Sequence, residues 1–465
     1  MERVIARPPL PEGPYLVVGL ARSGVAAAEA LAARGYAVTG TDAKRVGDDV
    51  RDALGAAGVA LRDGEEGGDL LRGIATIVKS PGVPREAPVI AAALAAGIRV
   101  IGEVELGWRL LEHEFVALTG SNGKTTTVEL IGHVYRVAGL PVTVAGNVGT
   151  ALTSLPGALE AGATVVCEVS SFQLEDMEAF APEAAVLLNL AEDHLDRHGT
   201  FDNYRAAKLE IFAHQPPGTV AVVPAGLALA DAGGAAARIT FGEAGPAPDG
   251  GRGHGAAVAP DRDGVPDLAH HAGTLSWRGE PLMAAAEIRI RGPHNRANAM
   301  AAAAVCLARG VPADAVVEGL RSFAGVPHRL EEIGTVDGVL YVNDSKATNV
   351  ASAEVAINSF AGGVHLIAGG RGKGSDYGPL AAPVRERCRG VYVIGETAAA
   401  LHDALLATDV PITDAGDLER AFAAAHKAAE PGDVVLLSPG CASYDQYRSY
   451  EERGEHFRAL VAALR

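Results

Sequence analysis

Short apolar runs that stop at glycine-rich turns recur along this chain, and a helical stretch follows each turn. Tyr15-Leu-Val-Val-Gly-Leu leads into ARSG and an Ala-rich segment, then into YAVTGTD. Phe115-Val-Ala-Leu-Thr leads into GSNGKTTT, and ATVVCEVSSFQLE, AAVLLNLAEDHLD and TVAVVPA continue the pattern. After Gly325 it returns in GVLYVNDSKATN, VHLIAGGRGKGS, GVYVIGET and DVVLLSPGCAS. Apolar runs without polar alternation mark strands covered on both faces, and the helices between them provide that cover. The chain therefore reads as α/β with parallel sheets. Its 465 residues suffice for about three domains of ordinary size. The pattern divides into a Rossmann-like nucleotide-binding domain (1–112), a central phosphate-loop ATPase-type sheet (113–324) and a Rossmann-like C-terminal domain (325–465). Between Phe241 and Pro281 the composition shifts to Gly, Pro, Asp and His, which predicts a mobile excursion with short edge strands.

Composition removes whole classes. Lys and Arg total 40 against 57 Asp and Glu, a formal charge of −17. Such a chain lacks the cationic field that nucleic acid or an anionic membrane surface requires. With 48% hydrophobic and 21% charged residues it is not a disordered polymer. Cys167, Cys306, Cys388 and Cys441 stand far apart with no CxxC pair, which excludes a disulfide framework and a structural zinc site. The N-terminus has no long apolar core and no small-residue cleavage site. No apolar run reaches the ~18–20 residues of a membrane span. The expectation is a reduced, cytoplasmic protein with small-molecule partners, no nucleic acid and no membrane.

The strongest local signal is Thr119-Gly-Ser-Asn-Gly-Lys-Thr-Thr-Thr127. Glycines let backbone amides turn inward at a helix start, which makes an anion site from Gly120, Ser121, Asn122 and Gly123. Lys124 reaches a β- or γ-phosphate, and the hydroxyls of Thr125 and Thr126 lie at the helix start, Thr125 suited to Mg²⁺. The full phosphate-loop spacing fails, because residue 118 is Leu rather than Gly. Mg²⁺–ATP needs carboxylates at neighbouring strand ends, and Glu168 and the Glu192-Asp193-His194 run fall there. Glu168 is read as a metal-side acid against a solvated strand end; His194 fits a metal-side or a hydrogen-bonded structural histidine equally. In the first domain Gly19-Leu-Ala-Arg-Ser-Gly24 is a dinucleotide-type turn weakened by Ala21 in its middle slot, and Asp42 follows where a ribose- or base-contacting acid would sit. In the third, Asn343–Asn349, Arg371-Gly-Lys373 and Ser438–Ser443 are polar clusters after strands. They suit a small dicarboxylate as well as ordinary turn chemistry. Cys441 reads as a small buried thiol, and His254, His270 and His271 lack metal-ligand spacing.

Taken together these segments resemble the Mur ligases, ATP-dependent amino-acid ligases of peptidoglycan precursor synthesis. TGSNGKTTT, GNVG, EVSSFQLE, AEDHLDRHGTFDNYRAAKLEIF, GPHNRANA, PHRLE, NDSKATN, GGRGKG and SPGCASYDQY match in order over nearly the whole chain. EVSSFQLE with SPGCASYDQY is most similar to the D-glutamate-adding branch. The resemblance implies that UDP-N-acetylmuramoyl-L-alanine is held by Arg22, Ser23, Asp42, Lys44 and Gly82, with Asn147 and Ser170 near the reacting centre. Ala21 and Ala43 depart from the family pattern and bear on individual contacts. It implies ATP on Gly120–Thr126, Asn295, Asn298, Arg329 and Asp344, and Mg²⁺ on Thr125, Glu168, His194 and Lys208. Lys208 matches a lysine that such enzymes carry as a CO₂-derived carbamate. Thr348, Lys373, Ser443 and Tyr450 match the amino-acid pocket, Lys124, His194 and Lys208 are the catalytic set, and a monomer is implied. Three rivals make different demands. A sibling ligase, folyl-polyglutamate synthesis included, uses another amino acid or acceptor; an ATPase switch hydrolyses ATP without any acceptor; a nucleotide-linked dehydrogenase reduces NAD.

Overall fold

The computed structural model describes residues 4–464 apart from 66, 148, 228, 230, 231, 245–264 and 373, and apart from the side chain of residue 196. Contacts divide the chain into two compact units, Met1–Arg289 with His294–Phe323, and Ile290–Pro293 with Ala324–Arg465. The first unit carries two sheets and the second carries one.

In the first sheet β1 (Tyr15–Val18), β2 (Val38–Thr41), β3 (Ala60–Leu61), β4 (Thr76–Lys79) and β5 (Arg99–Gly102) lie parallel in the order β3-β2-β1-β4-β5. β1 is buried along its length because the strand is apolar at every position. The turn after it depends on two glycines. Gly19 has φ +90°, and a Cβ on Gly24 would stand 1.8 Å from the Gly19 carbonyl oxygen. Only glycine lets the helix Arg22–Ala32 begin that close to the strand end.

The second sheet contains β6 (Glu114–Thr119), β7 (Val142–Gly146), β8 (Thr164–Glu168), β9 (Ala184–Leu187), β10 (Val220–Pro224), β11 (Ala237–Glu243), β12 (Leu268–His271), β13 (Thr274–Trp277) and β14 (Glu280–Ala284). Their order is β14-β13-β12-β11-β10-β9-β6-β8-β7, parallel from β7 to β12, with β13 and β14 folded back antiparallel. The Gly- and Pro-rich excursion thus supplies the edge strands expected of it, while residues 245–264, His254 among them, lie outside the described residues. From β6 the chain runs out to β7, returns to β8 and crosses to β9. The winding therefore reverses at β6, whose carboxyl end is the crevice where open α/β sheets bind ligands.

Buried polar pairs join the two sheets of this unit. Lys79 Nζ meets Asp176 Oδ2 at 2.8 Å with both side chains essentially inaccessible. Glu103, whose acidity burial weakens, accepts from the Thr153 amide and hydroxyl at 2.8 Å each.

The second unit holds β15 (Glu331–Val336), β16 (Val339–Asn343), β17 (Val364–Gly369), β18 (Cys388–Ile394), β19 (Ile412–Gly416) and β20 (Val434–Leu437), ordered β15-β16-β20-β17-β18-β19. All pairs are parallel except β15 with β16. β20 separates β16 from β17, so the loops after these three strands share one crevice.

Asp176→Ala leaves the Lys79 ammonium buried without its carboxylate and should destabilise the first unit by about 3–5 kcal/mol. A fall in the urea midpoint checks this, and Lys79→Met combined with Asp176→Leu should recover most of the loss.

Candidate active site

The loop after β6 is held by the segment after β9. Ser121 N donates to the Asn189 carbonyl at 3.1 Å. The Asn189 side chain pairs with the Asn122 backbone in both directions, accepting from its N–H at 2.9 Å and donating to its carbonyl at 3.0 Å. Ser121 Oγ exchanges two 2.9 Å hydrogen bonds with the Ala191 backbone and lies 2.9 Å from the Tyr204 hydroxyl. Gly123, at φ +82°, begins the helix Lys124–Val137; a Cβ there would meet Asn298 Oδ1 at 2.3 Å. Asn298 is buried, takes part in a 3.2 Å bond to Asn295 Oδ1, and so packs against the phosphate-type loop itself. Thr125 and Thr126 are buried in the first helical turn. The result is a rigid cradle at a helix N-terminus, the geometry that attracts phosphate.

Two lysines converge on one carbonyl. Lys124 Nζ donates to Gly120 O at 2.9 Å and Ser121 O at 3.0 Å. Lys208 Nζ donates to the same Gly120 O at 2.9 Å and to Thr119 Oγ1 at 3.4 Å. Lys208 is 1% exposed. Burial first, and the neighbouring Lys124 charge second, push its ammonium down to about 7, with Asp193 and Glu168 acting the other way. A substantial share of this amine is neutral at physiological pH, which makes it nucleophilic.

Glu168 is buried at the end of β8 and is not a solvated strand end. Asn147 orients it, donating Nδ2–H to Oε1 at 2.9 Å and its own N–H to the Glu168 carbonyl at 2.8 Å. Glu168 Oε2 is buried with no hydrogen-bond partner among the described residues. A buried carboxyl oxygen left open beside a phosphate cradle suits a hard divalent cation. Among the described residues no three His, Cys, Asp or Glu side chains gather as a metal set. Mg²⁺ takes few protein ligands and completes its shell with phosphate and water, so the arrangement fits that ion. His194 is exposed, in a left-handed conformation at φ +52°, 3.5 Å from Asp193 and 4.8 Å between ring centres from Phe172. Ser170 serves its own helix: its hydroxyl caps Gln173 N, whose side chain accepts from Ser170 N, the reciprocal capping box encoded by Ser-Ser-Phe-Gln.

In the first sheet Ser23 lies at the start of the helix after β1, beside exposed Arg22. Asp42 directly follows β2, its carboxylate accepting from Leu20 N at 2.8 Å and Lys44 N at 3.1 Å, which shapes the turn beneath exposed Lys44. Gly82 is exposed on the loop after β4. Ser80 Oγ ties that loop to the glycine turn through Gly19 O at 2.7 Å. These five residues thus share one end of the first sheet.

In the second unit Asp344 is buried after β16, and burial pushes its carboxyl up to about 7 against bonds from Ser438 Oγ at 2.7 Å and Leu330 N at 3.1 Å. Arg329 sits between His328 and Leu330, both at positive φ, with its Nε buried and without a partner among the described residues. Ser443 is buried after β20. Thr348 is half-buried, and Tyr450 begins the helix Tyr450–Ala462. Lys373 lies outside the described residues. Sequence reasoning passed over Arg453, which organises this crevice. Its guanidinium is 1% exposed and donates to Ser345 Oγ at 3.0 Å, Ser345 O at 2.9 Å and Cys441 O at 3.2 Å, with Gly369 O and Ala442 O at 3.5 and 3.4 Å. Burial lowers it to about 10. The signal was present: Arg453, Phe457 and Val461 stand at i, i+4 and i+8, so an arginine occupies the apolar face of its helix. Asn189 was missed likewise, as a polar residue closing the apolar run AAVLLNL.

Gly123→Ala should place a methyl in the Asn298 amide and force a left-handed alanine, costing about 1–2 kcal/mol. A fall in the urea midpoint of corresponding size checks this.

Three family models match in succession: the MurD-like N-terminal domain of Mur ligases over residues 14–102, the Mur ligase middle domain over 118–306, and the Mur ligase glutamate ligase domain over 328–441. UDP-N-acetylmuramoylalanine–D-glutamate ligases from Acidobacterium capsulatum and Geotalea uraniireducens are 41% and 42% identical; each alignment covers 97% of this chain, and 96% and 97% of the relative. A pseudomurein peptide ligase from Methanothermus fervidus shares the fold at TM-score 0.56 and 18% identity, covering 97% of this chain and 100% of that one. The alanine-adding UDP-N-acetylmuramate ligase of Thermotoga maritima does so at 0.56 and 19%, covering 97% and 99%. The strand orders, the cradle after β6 and these matches agree: the chain belongs to the Mur ligase family.

Proposed function

We infer that this protein is an ATP-dependent ligase that joins D-glutamate to UDP-N-acetylmuramoyl-L-alanine. The observation that carries this reading is about 40% identity, over nearly the full length of both chains, to relatives named for that reaction. In this reading residues 1–112 hold the uridine diphosphate sugar, 113–324 bind ATP and 325–465 hold the amino acid. The protein works as a cytoplasmic monomer; among the described residues no helix is long and apolar enough to cross a membrane.

A carboxylate resists attack by an amine, so the alanyl carboxylate oxygen first attacks the γ-phosphorus of ATP. The bond to the β-phosphate oxygen breaks, leaving an acyl phosphate and ADP. Lys124 and the loop amides offset the charge that develops on the transferred group. Glu168, Thr125, His194 and Lys208 are the residues that would hold Mg²⁺, whose chemistry is neutralisation of phosphate charge. The neutral D-glutamate amine then attacks the acyl carbon, and phosphate departs with the amine proton as the amide forms. A neutral Lys208 amine adds to CO₂, forming an N–C bond and releasing one amine proton to solvent, so that a carbamate anion stands where a protonated lysine would be a cation; its depressed basicity supports this assignment. Asn295, Asn298, Arg329 and Asp344 are proposed ATP contacts. Arg22, Ser23, Asp42, Lys44, Gly82, Asn147 and Ser170 are assigned to the nucleotide-sugar acid, and Thr348, Lys373, Ser443 and Tyr450 to glutamate.

Phosphate release from ATP, followed with and without the nucleotide-sugar acid and with D- or L-glutamate, tests the reading. Release should require both the acid and D-glutamate; release indifferent to either would replace the ligase with an ATPase. Lys124→Ala should lower kcat by at least about 10²–10³. Lys208→Ala should lose activity and regain it with added short carboxylic acids, and failure of that rescue would remove the carbamate.

A further inference from the structure

Arg197 joins a segment of the central sheet to the substrate loop of the first, and nothing in the reaction scheme above uses it. It lies in the short helix Leu195–His198, which follows His194 directly. Its guanidinium rests on the face of Phe172, 4.0 Å from the ring centre, and pairs with Glu175 Oε2 at 3.6 Å. From that support it donates Nη1–H to the Pro81 carbonyl at 3.4 Å and Nη2–H to the Val83 carbonyl at 3.5 Å. Those two carbonyls flank Gly82. Lys79 Nζ donates to the same Val83 carbonyl at 2.8 Å and is itself held by Asp176, the neighbour of Glu175. Adjacent carboxylates on one turn thus fix two cations, and both cations grip the backbone of one loop.

A trans peptide points its carbonyl and N–H in opposite directions. Drawing the Pro81 carbonyl towards Arg197 therefore aims the Gly82 N–H away from the central sheet. Gly82 is exposed, and a Cβ placed there would meet nothing within 4 Å. The loop presents its free side to whatever the first sheet binds, while Ser80 holds its other end against the glycine turn.

We propose that Arg197 is a positioning residue for the nucleotide-sugar acid: it acts through the Pro81–Val83 backbone without touching the ligand, and it sets the orientation of Gly82 from the central sheet. This rests on the assignment of the first domain to that substrate. A planar two-pronged donor is needed to span two carbonyls, so a lysine replaces it only in part. A structural role alone would affect ATP and the nucleotide-sugar acid alike, whereas a positioning role separates them.

The test is calorimetric titration of wild type, Arg197→Ala and Arg197→Lys with UDP-N-acetylmuramoyl-L-alanine, together with KM for each substrate. Arg197→Ala should bind the nucleotide-sugar acid about tenfold more weakly, with the ATP KM within twofold of wild type, and Arg197→Lys should fall between them. Should Arg197→Ala fail to fold, Arg197→Lys and Arg197→Gln carry the same comparison. Unchanged affinity for the nucleotide-sugar acid, or equal losses for both substrates, would overturn the proposal and leave the assigned reaction standing. A wild type that does not bind this acid at all would overturn the assignment and the proposal together.

Discussion

The hydrogen bonds between the loop after β6 and the segment after β9 are the constraint on which the first unit's chemistry rests. A glycine-rich loop by itself is conformationally permissive and pays entropy to order. Here Asn189 imitates a strand neighbour, satisfying one donor and one acceptor of Asn122, while the Ser121 hydroxyl does the same for Ala191. Both interactions are possible because β9 pairs directly with β6, Leu187 opposite Thr119, so the two chain segments leave the sheet side by side. The anion cradle is thus ordered by sheet register.

Placing cations in a low-dielectric interior shapes both units, with different partners. Lys208 has carbonyl and hydroxyl acceptors and a second lysine nearby, and its basicity falls. Among the described residues Arg453 also has no carboxylate as a hydrogen-bond partner, yet guanidinium keeps its charge over a far wider range and spreads it over several carbonyls. One buried position therefore suits an amine that changes protonation state, and the other suits a fixed brace. Electrostatic preorganisation of this kind is where much of an enzyme's rate acceleration resides.

The parts of the fold legible in the sequence were those buried on both sides. β1, β6, β8, β9, β17 and β20 are buried strands made mostly of apolar residues, and each was readable from its letters. β15 and β19 carry exposed or half-exposed positions such as Glu332, Thr335, Thr413 and Asp414, so their sequences resemble turns. Only pairing to a neighbour makes them strands. The phosphate-type loop was legible because its amides and lysine must be local in sequence. The partners of Asn189 and Arg453, and the role of Asn147 in orienting Glu168, were not, because each contact depends on residues brought together by strand order over 20 to more than 100 positions. Ser170 shows the opposite case, a residue whose partner three positions on could be read directly as a helix cap.

The brace supplied by Arg453 also bears on how this architecture can be re-engineered. The loops after β16 and β20 and the last residue of β17 meet its guanidinium rather than one another's side chains alone, and that guanidinium belongs to the helix Tyr450–Ala462. A chimaera that imports those loops from a relative would inherit their sequences without their scaffold. Exchange of the loops and the helix as one block keeps recipient and donor mutually compatible.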